Sequence, residues 1–220
     1  MPRFDLALFD LDGTLINSLP DITAAGNHAM RTVGRPEITE QQCRFYAGQG
    51  LPNFIITALG PDHQDLYDAA LAAHLGYYRD HGGTLTRVFP GVDGLLDRLK
   101  EAGLKRAILS NKPHAATLGD AERLLGRHAF DAVIGHRDGY EVKPDTRSAT
   151  EIIERLGVEP DRVAYVGDTA ADMLTAKRSG FYAVGVTYGF RERAELEEHG
   201  ADAIVDDAAG VGDAILGTDR

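Results

Sequence analysis

Short apolar runs alternate along this chain with longer segments in which apolar residues return every three or four positions. The first run, Phe4-Asp5-Leu6-Ala7-Leu8-Phe9, stops at Asp10-Leu11-Asp12-Gly13-Thr14. A short apolar run ended by turn-forming residues reads as a buried strand that delivers its C-terminal end to a loop. From about Val88 the rhythm is regular. Residues 91–102 put Leu95, Leu96 and Leu99 on one helical face with Gly103 as the stop, and 106–109 then read as a strand ending at Ser110-Asn111-Lys112-Pro113. Helical patterns at 114–126, 148–156 and 170–179 alternate with strand patterns at 132–135, 162–166 and 182–186. A helix near 193–198 and the apolar run Ala203-Ile204-Val205 complete the predicted series. Alternation with short connections predicts a parallel sheet with helices on both faces.

The interval 17–87 breaks this rhythm. It carries helical patterns at 22–33 and 66–78 and no convincing strand. An all-helical insertion after the first strand predicts two units, a core of residues 1–16 and 88–220 and a helical cap of residues 17–87. Gly and Pro are scattered as punctuation, without repeats or low-complexity tracts.

Composition narrows the function classes. With 220 residues, 43% of them hydrophobic and 26% charged, the chain can bury one large core with a small satellite. Its net charge of −11 argues against nucleic acid as a partner, and no dense Lys/Arg stretch makes a local footprint. That acidity also repels anionic substrates, so an anion site needs its cations gathered locally. Cys43 is the single cysteine, which excludes an intrachain disulfide framework and a Cys-based zinc cage. No run approaches the roughly 18 apolar residues of a membrane span, and the N-terminal stretch does not read as a signal peptide. A cytoplasmic protein that engages no membrane is expected.

In an open α/β sheet, ligands bind beyond the carboxyl ends of the strands. Three predicted strands bring polar residues to that edge: Asp10 and Asp12, then Ser110, then Asp168 with Asp172, while a loop adds Lys143. Converging carboxylates repel one another unless a cation holds them. An all-oxygen set with few protein ligands suits magnesium, which favours phosphoryl chemistry. Asp10 and Asp12 are two apart, so in an extended segment both can face one reacting atom, one attacking phosphorus and the other handling a proton. Taken singly these residues are ordinary: Asp-Gly-Thr is common turn chemistry, and carboxylates at a helix start suit the macrodipole. A turn alone does not require the other three groups.

Asp10-Leu11-Asp12-Gly13-Thr14-Leu15 resembles the first motif of the haloacid dehalogenase-like superfamily. Ser110 after an apolar strand resembles the second motif, Lys143-Pro144 the third, and Gly167-Asp168-Thr169-Ala170-Ala171-Asp172 the fourth. The resemblance implies a doubly wound, Rossmann-like α/β core with a helical cap inserted after the first strand. It further implies a nucleophile at Asp10 and a general acid, then base, at Asp12. Phosphate binding falls to Ser110, the Asn111 amide and Lys143. Mg2+ falls to Asp10, the carbonyl of Asp12, and Asp168, with Asp172 supporting from behind. Dehalogenases of the superfamily lack a carboxylate two residues after the nucleophile, so Asp12 points to phosphate.

Within the insertion, Ala47-Gly48-Gln49-Gly50-Leu51-Pro52 is similar to the glycine-rich cap loop of phosphoglycolate phosphatase-like members, as are Ser110-Asn111-Lys112-Pro113 and Val186-Thr187-Tyr188-Gly189. Gly48, Gln49, Gly50, Arg44 and Lys112 are therefore candidate substrate contacts. The chain departs from many relatives after Lys143-Pro144, where Asp145-Thr146-Arg147 follow without a second proline. The implied activity is hydrolysis of a small phosphate ester, 2-phosphoglycolate foremost, by a monomer or homodimer. An inorganic pyrophosphatase, a sugar phosphomutase and a non-catalytic binding module of the same fold are the competing readings.

Overall fold

Leu6, Ala7, Leu8 and Phe9 are all fully buried, as a strand covered on both faces requires. They form β1 (Leu6–Phe9) of a computed structural model that describes residues 3–217; positions 1, 2 and 218–220 of the expected core lie outside the described residues. The chain continues through β2 (Ile16–Asn17), α1 (Leu19–Thr32), α2 (Glu40–Tyr46), α3 (Leu51–Leu59), α4 (Tyr67–His81) and β3 (Arg87–Val88). Next come α5 (Val92–Glu101), β4 (Lys105–Pro113), α6 (His114–Leu125), β5 (Ala132–His136), α7 (Arg147–Leu156) and β6 (Val163–Gly167). The series ends with α8 (Ala170–Ser179), β7 (Tyr182–Val186), α9 (Arg193–Glu198), β8 (Ala203–Val205) and α10 (Ala208–Leu216).

Six parallel strands make one sheet in the order β5-β4-β1-β6-β7-β8, with β1 pairing Leu6 to both Lys105 and Val163. The order reverses around β1, so the fold is doubly wound α/β. Side chains alternate across the sheet with period two. Ala7, Phe9, Ile108 and Val166 pack with Leu95, Leu96 and Leu99 of α5 and Val211 and Ile215 of α10. Leu6, Leu8, Leu109 and Tyr165 pack with Ile152 of α7 and Met173 of α8 on the other face.

Between β2 and β3, which pair antiparallel, the helices α1 to α4 bury their own cluster, including Met30, Cys43, Phe54, Ile55 and Leu59. Phe190, from the loop after β7, joins that cluster and ties it to the core. Asp21 fastens its base: its carboxylate accepts from the Leu85 and Thr86 amides at 3.0 and 2.7 Å.

Three helices lie outside the predicted series. In α3, Leu51, Phe54, Ile55, Ile56 and Leu59 leave little polar contrast, so no stripe stands out. The helix α10 carries Gly210 and Gly212, poor helix formers, and starts at Asp207, whose carboxylate accepts from the Gly210 amide at 2.7 Å. The short α2 had a legible start, a reciprocal Thr39–Gln42 capping box. The interval expected to lack strands contributes Asn17 and Arg87 to the β2–β3 pair at its base. Finally, β4 runs to Pro113 instead of stopping at Leu109, because after a register shift Pro113 pairs again with His136.

Candidate active site

Asp10 follows β1 directly, and its amide donates to the Val166 carbonyl at 2.9 Å, so the strand order itself sets its place between β4 and β6. Lys143, from the loop before α7, inserts its ammonium among the strand ends. Its Nζ donates to Asp10 Oδ1 and Asp172 Oδ1, both at 2.7 Å, and to the Leu109 carbonyl at 3.1 Å. The other oxygen of Asp172 is taken by the Thr169 amide at 3.0 Å and hydroxyl at 2.7 Å, while Tyr165 donates to Oδ1 at 3.1 Å. Asp172 thus holds Lys143 in place while capping α8.

Asp168 is fully buried and, among the described residues, accepts only from neutral donors, the Thr14 hydroxyl at 3.2 Å and the Phe190 amide at 2.7 Å. Gly13, at φ +89°, passes so close that a Cβ there would lie 2.2 Å from Asp168 Oδ2. Carboxylate oxygens of Asp10, Asp168 and Asp172 all come within 4.8 Å of one another. Burial lifts Asp10 to about 7 against the pull of Lys143, with Asp172 and Asp12 adding to the rise. Burial, then Asp10 and Asp172, raise Asp168 well above the usual carboxylate range. Burial alone would lower Lys143, but Asp10 and Asp172 outweigh it and hold the ammonium charged. Three buried carboxylates face one ammonium, a deficit of positive charge that a metal ion could fill.

Asp12 takes Lys112 as its partner: its Oδ1 accepts from Lys112 Nζ at 2.9 Å. Asp10, Asp12, Ser110, Asn111 and Lys143 nevertheless line one cavity of about 540 Å3 between the strand ends and the helical insertion. The Ser110 hydroxyl accepts from the Lys112 amide at 3.2 Å. The Asn111 side chain is a pin. Its Nδ2 donates to the Gly48 carbonyl at 2.9 Å, and its Oδ1 accepts from the Lys143 amide at 2.7 Å.

Of the candidate contacts in the insertion, Gly48 and Gly50 line the cavity, and Lys112 of β4 joins them. Gly50, at φ +84°, lies against Val142, where a Cβ would approach Cγ1 to 2.9 Å. Arg44 and Gln49 are exposed and lie outside the cavity lining. Arg44 donates instead to the Gly189 carbonyl at 3.4 Å. Sequence reasoning missed His74, Tyr78, Asp120 and Arg123, which complete the cavity wall. They sit on α4 and α6 with no motif spacing. It also missed Arg191, whose buried guanidinium donates to the carbonyls of Arg44, Phe45 and Ala47. The neighbouring segment 186–189 was the one available signal for that loop.

Residues 7–186 match the Haloacid dehalogenase-like hydrolase family. A phosphoglycolate phosphatase of Vibrio cholerae is 32% identical over 223 residues, covering 98% of this chain and 99% of that protein. Phosphoglycolate phosphatase 1 of Pseudomonas aeruginosa is 35% identical over 214 residues, covering 94% of this chain and 77% of that protein. Among solved structures, a predicted phosphoglycolate phosphatase from Haemophilus somnus superposes with a TM-score of 0.89 at 28% identity, covering 96% of this chain and 97% of that one. Motif order, sheet topology and these relatives agree, and the chain belongs to the haloacid dehalogenase-like hydrolases, as a phosphoric monoester hydrolase of that family.

Proposed function

We propose that this protein hydrolyses a small phosphate ester with Mg2+ and an aspartyl-phosphate on Asp10, and that the substrate is 2-phosphoglycolate. The observation that carries the mechanism is the Lys143 ammonium set between Asp10 and Asp172 at 2.7 Å from each, inside a carboxylate cluster short of positive charge. The relatives named for phosphoglycolate support the substrate, and Arg79 and Arg123, paired with Asp80 and Asp120, put guanidinium groups on the cavity wall on the side of the insertion.

Asp10 attacks phosphorus through one carboxylate oxygen, and the bond from phosphorus to the leaving oxygen breaks. Asp12 gives that oxygen its proton, so an alcohol departs. Water then attacks the phosphorus of the aspartyl-phosphate, Asp12 takes the water proton, and the Asp10–phosphorus bond breaks to release phosphate. Ser110, the Asn111 amide and Lys143 bind the transferring group, and Lys143 offsets its charge. Asp10, the Asp12 carbonyl and Asp168, with Asp172 behind them, would hold Mg2+, which when bound would supply further neutralisation of the phosphoryl charge. Residues 17–87 act as a cap that excludes bulk water and selects the leaving group, while 1–16 and 88–220 carry the chemistry.

The test is phosphate release from a panel of phosphoglycolate, pyrophosphate, sugar phosphates and a nitrophenyl ester, with Mg2+ present and chelated. Magnesium-dependent release, steepest for phosphoglycolate, is expected. Faster release from pyrophosphate would overturn the substrate, and isomerisation of a sugar phosphate without release would replace hydrolysis by phosphoryl return.

A further inference from the structure

The reaction just described leaves Lys112 without a part, yet it is among the most deeply held cations of the cavity, with its side chain 6% exposed. Its Nζ lies 2.9 Å from Asp12 Oδ1 and 2.7 Å from Asp120 Oδ2, and 4.8 Å from the centroid of the Tyr78 ring. Asp120 on α6 is itself fixed from two further sides, by Arg123 at 2.8 Å and by the Tyr78 hydroxyl of α4 at 3.1 Å. Among the described residues, Lys112 is the one side chain bonded to the Asp12 carboxylate, and it takes Oδ1 alone. Lys112 is also partnered on both sides, so it offers no unshared charge to a substrate.

We propose that Lys112 is the positioning residue for Asp12, and that Asp120, Arg123 and the Tyr78 hydroxyl hold its ammonium where it aims that carboxyl at the leaving-group oxygen. A buried ion pair anchored on one carboxylate oxygen fixes the plane of the group, leaving Oδ2 to carry the proton. Without the anchor, Asp12 on its loop would sample several rotamers, and a misaimed acid loses rate without losing substrate affinity. Because Tyr78 belongs to the insertion and Asp120 to the core, the chain Tyr78–Asp120–Lys112–Asp12 also makes the aim of Asp12 depend on how the insertion sits. The inference rests on the acid–base role given to Asp12 above.

Two aryl esters of similar size separate the outcomes: phenyl phosphate, whose leaving group needs a proton, and 2,4-dinitrophenyl phosphate, whose leaving group departs without one. General acid catalysis contributes roughly 10²–10⁴-fold where the proton is needed. Both esters share the later hydrolysis of the aspartyl-phosphate, so the readout is kcat/KM, which reports the steps up to departure of the leaving group. Lys112→Met is expected to lower it about 100-fold on phenyl phosphate and less than about tenfold on the dinitrophenyl ester, with inhibition by inorganic phosphate little changed. Tyr78→Phe, which leaves every ion pair in place, should show the same selectivity on a smaller scale, and it decides the matter if Lys112→Met does not fold. Equal losses of kcat/KM on the two esters, or weakened inhibition by inorganic phosphate, would overturn the proposal and return Lys112 to direct substrate binding. Asp12→Asn is the control. If it loses phenyl ester turnover selectively and the Lys112 and Tyr78 variants do not, the positioning role fails alone; if Asp12→Asn shows no selectivity, the acid role of Asp12 fails first.

Discussion

In the proposed mechanism Asp10 carries two burdens, chemical and electrostatic, and they separate on substitution. An amide in its place cannot attack phosphorus, so Asp10→Asn should abolish phosphate release and leave no phosphorylated protein detectable by mass spectrometry. The same change removes one of three buried carboxylates from a cluster served by a single ammonium. Like charges in a buried site oppose one another. In the absence of Mg2+, therefore, the variant should melt no lower than the parent, and retained turnover would remove the covalent route. Asp10, Asp12, Ser110, Lys143, Asp168 and Asp172 were all legible as candidate residues, because each stands in a short local motif. Asp120 and Arg191 were not. The aspartate sits on an exposed-looking helix and meets Tyr78 from 42 positions away, and the arginine sits in a loop and meets the Arg44 carbonyl from 147 positions away.

At the scale of elements, the site depends on how closely the loop after β1 passes the loop after β6. Gly13 makes that passage possible with its left-handed φ of +89° and its missing Cβ. Gly13→Ala should push Asp168 aside and strain the backbone. Calorimetric Mg2+ titration should then show affinity lowered at least about tenfold, the order expected when the support of a metal ligand is lost.

The helix α4 carries a second dependence. His74 is 5% exposed, packs 5.6 Å from Phe54 between ring centroids, and leaves Nδ1 unpartnered. Burial and then the Lys112 charge lower it from 6.5 to about 4. Because the folded value is depressed, the unfolded chain binds more protons between those limits. The stability contribution is complete above about 6.5 and drains away as pH falls toward 4, up to about 3 kcal/mol in all. Melting curves of His74→Phe should lack that part of the acid sensitivity. The predicted strands and most core helices stood where periodicity put them, whereas α3 and α10 did not announce themselves, since one is apolar nearly all round and the other is diluted by glycine.

For the whole molecule, the proposed metal site would couple ion binding to the fold through the carboxylate cluster. Asp10 is raised to about 7, mainly by burial, so ionising it costs the metal-free fold stability as pH climbs from about 4 through 7. A divalent ion favours the ionised form and binds the folded state alone. Saturating Mg2+ should then raise the melting temperature more at pH 8 than at pH 5. An equal rise at both would mean that the ion binds elsewhere. No helix among the described residues is long and apolar enough to cross a membrane.

The sequence by itself determined the doubly wound class, the helical insertion after the first strand, and the order of the motif residues. The alternating elements and the insertion follow from local signals, hydrophobic period and turn chemistry, whereas the doubly wound class and the motif order came with the resemblance that the motif residues carry. Only the tertiary structure decided the partners. Lys143 joins Asp10 to Asp172, Lys112 joins Asp12 to Asp120, Tyr78 spans from insertion to core, and Arg191 closes on the carbonyls of the insertion loop. Such pairings are chosen by the packing of elements distant in sequence, where each buried charge takes the counter-charge or dipole that the fold brings within reach.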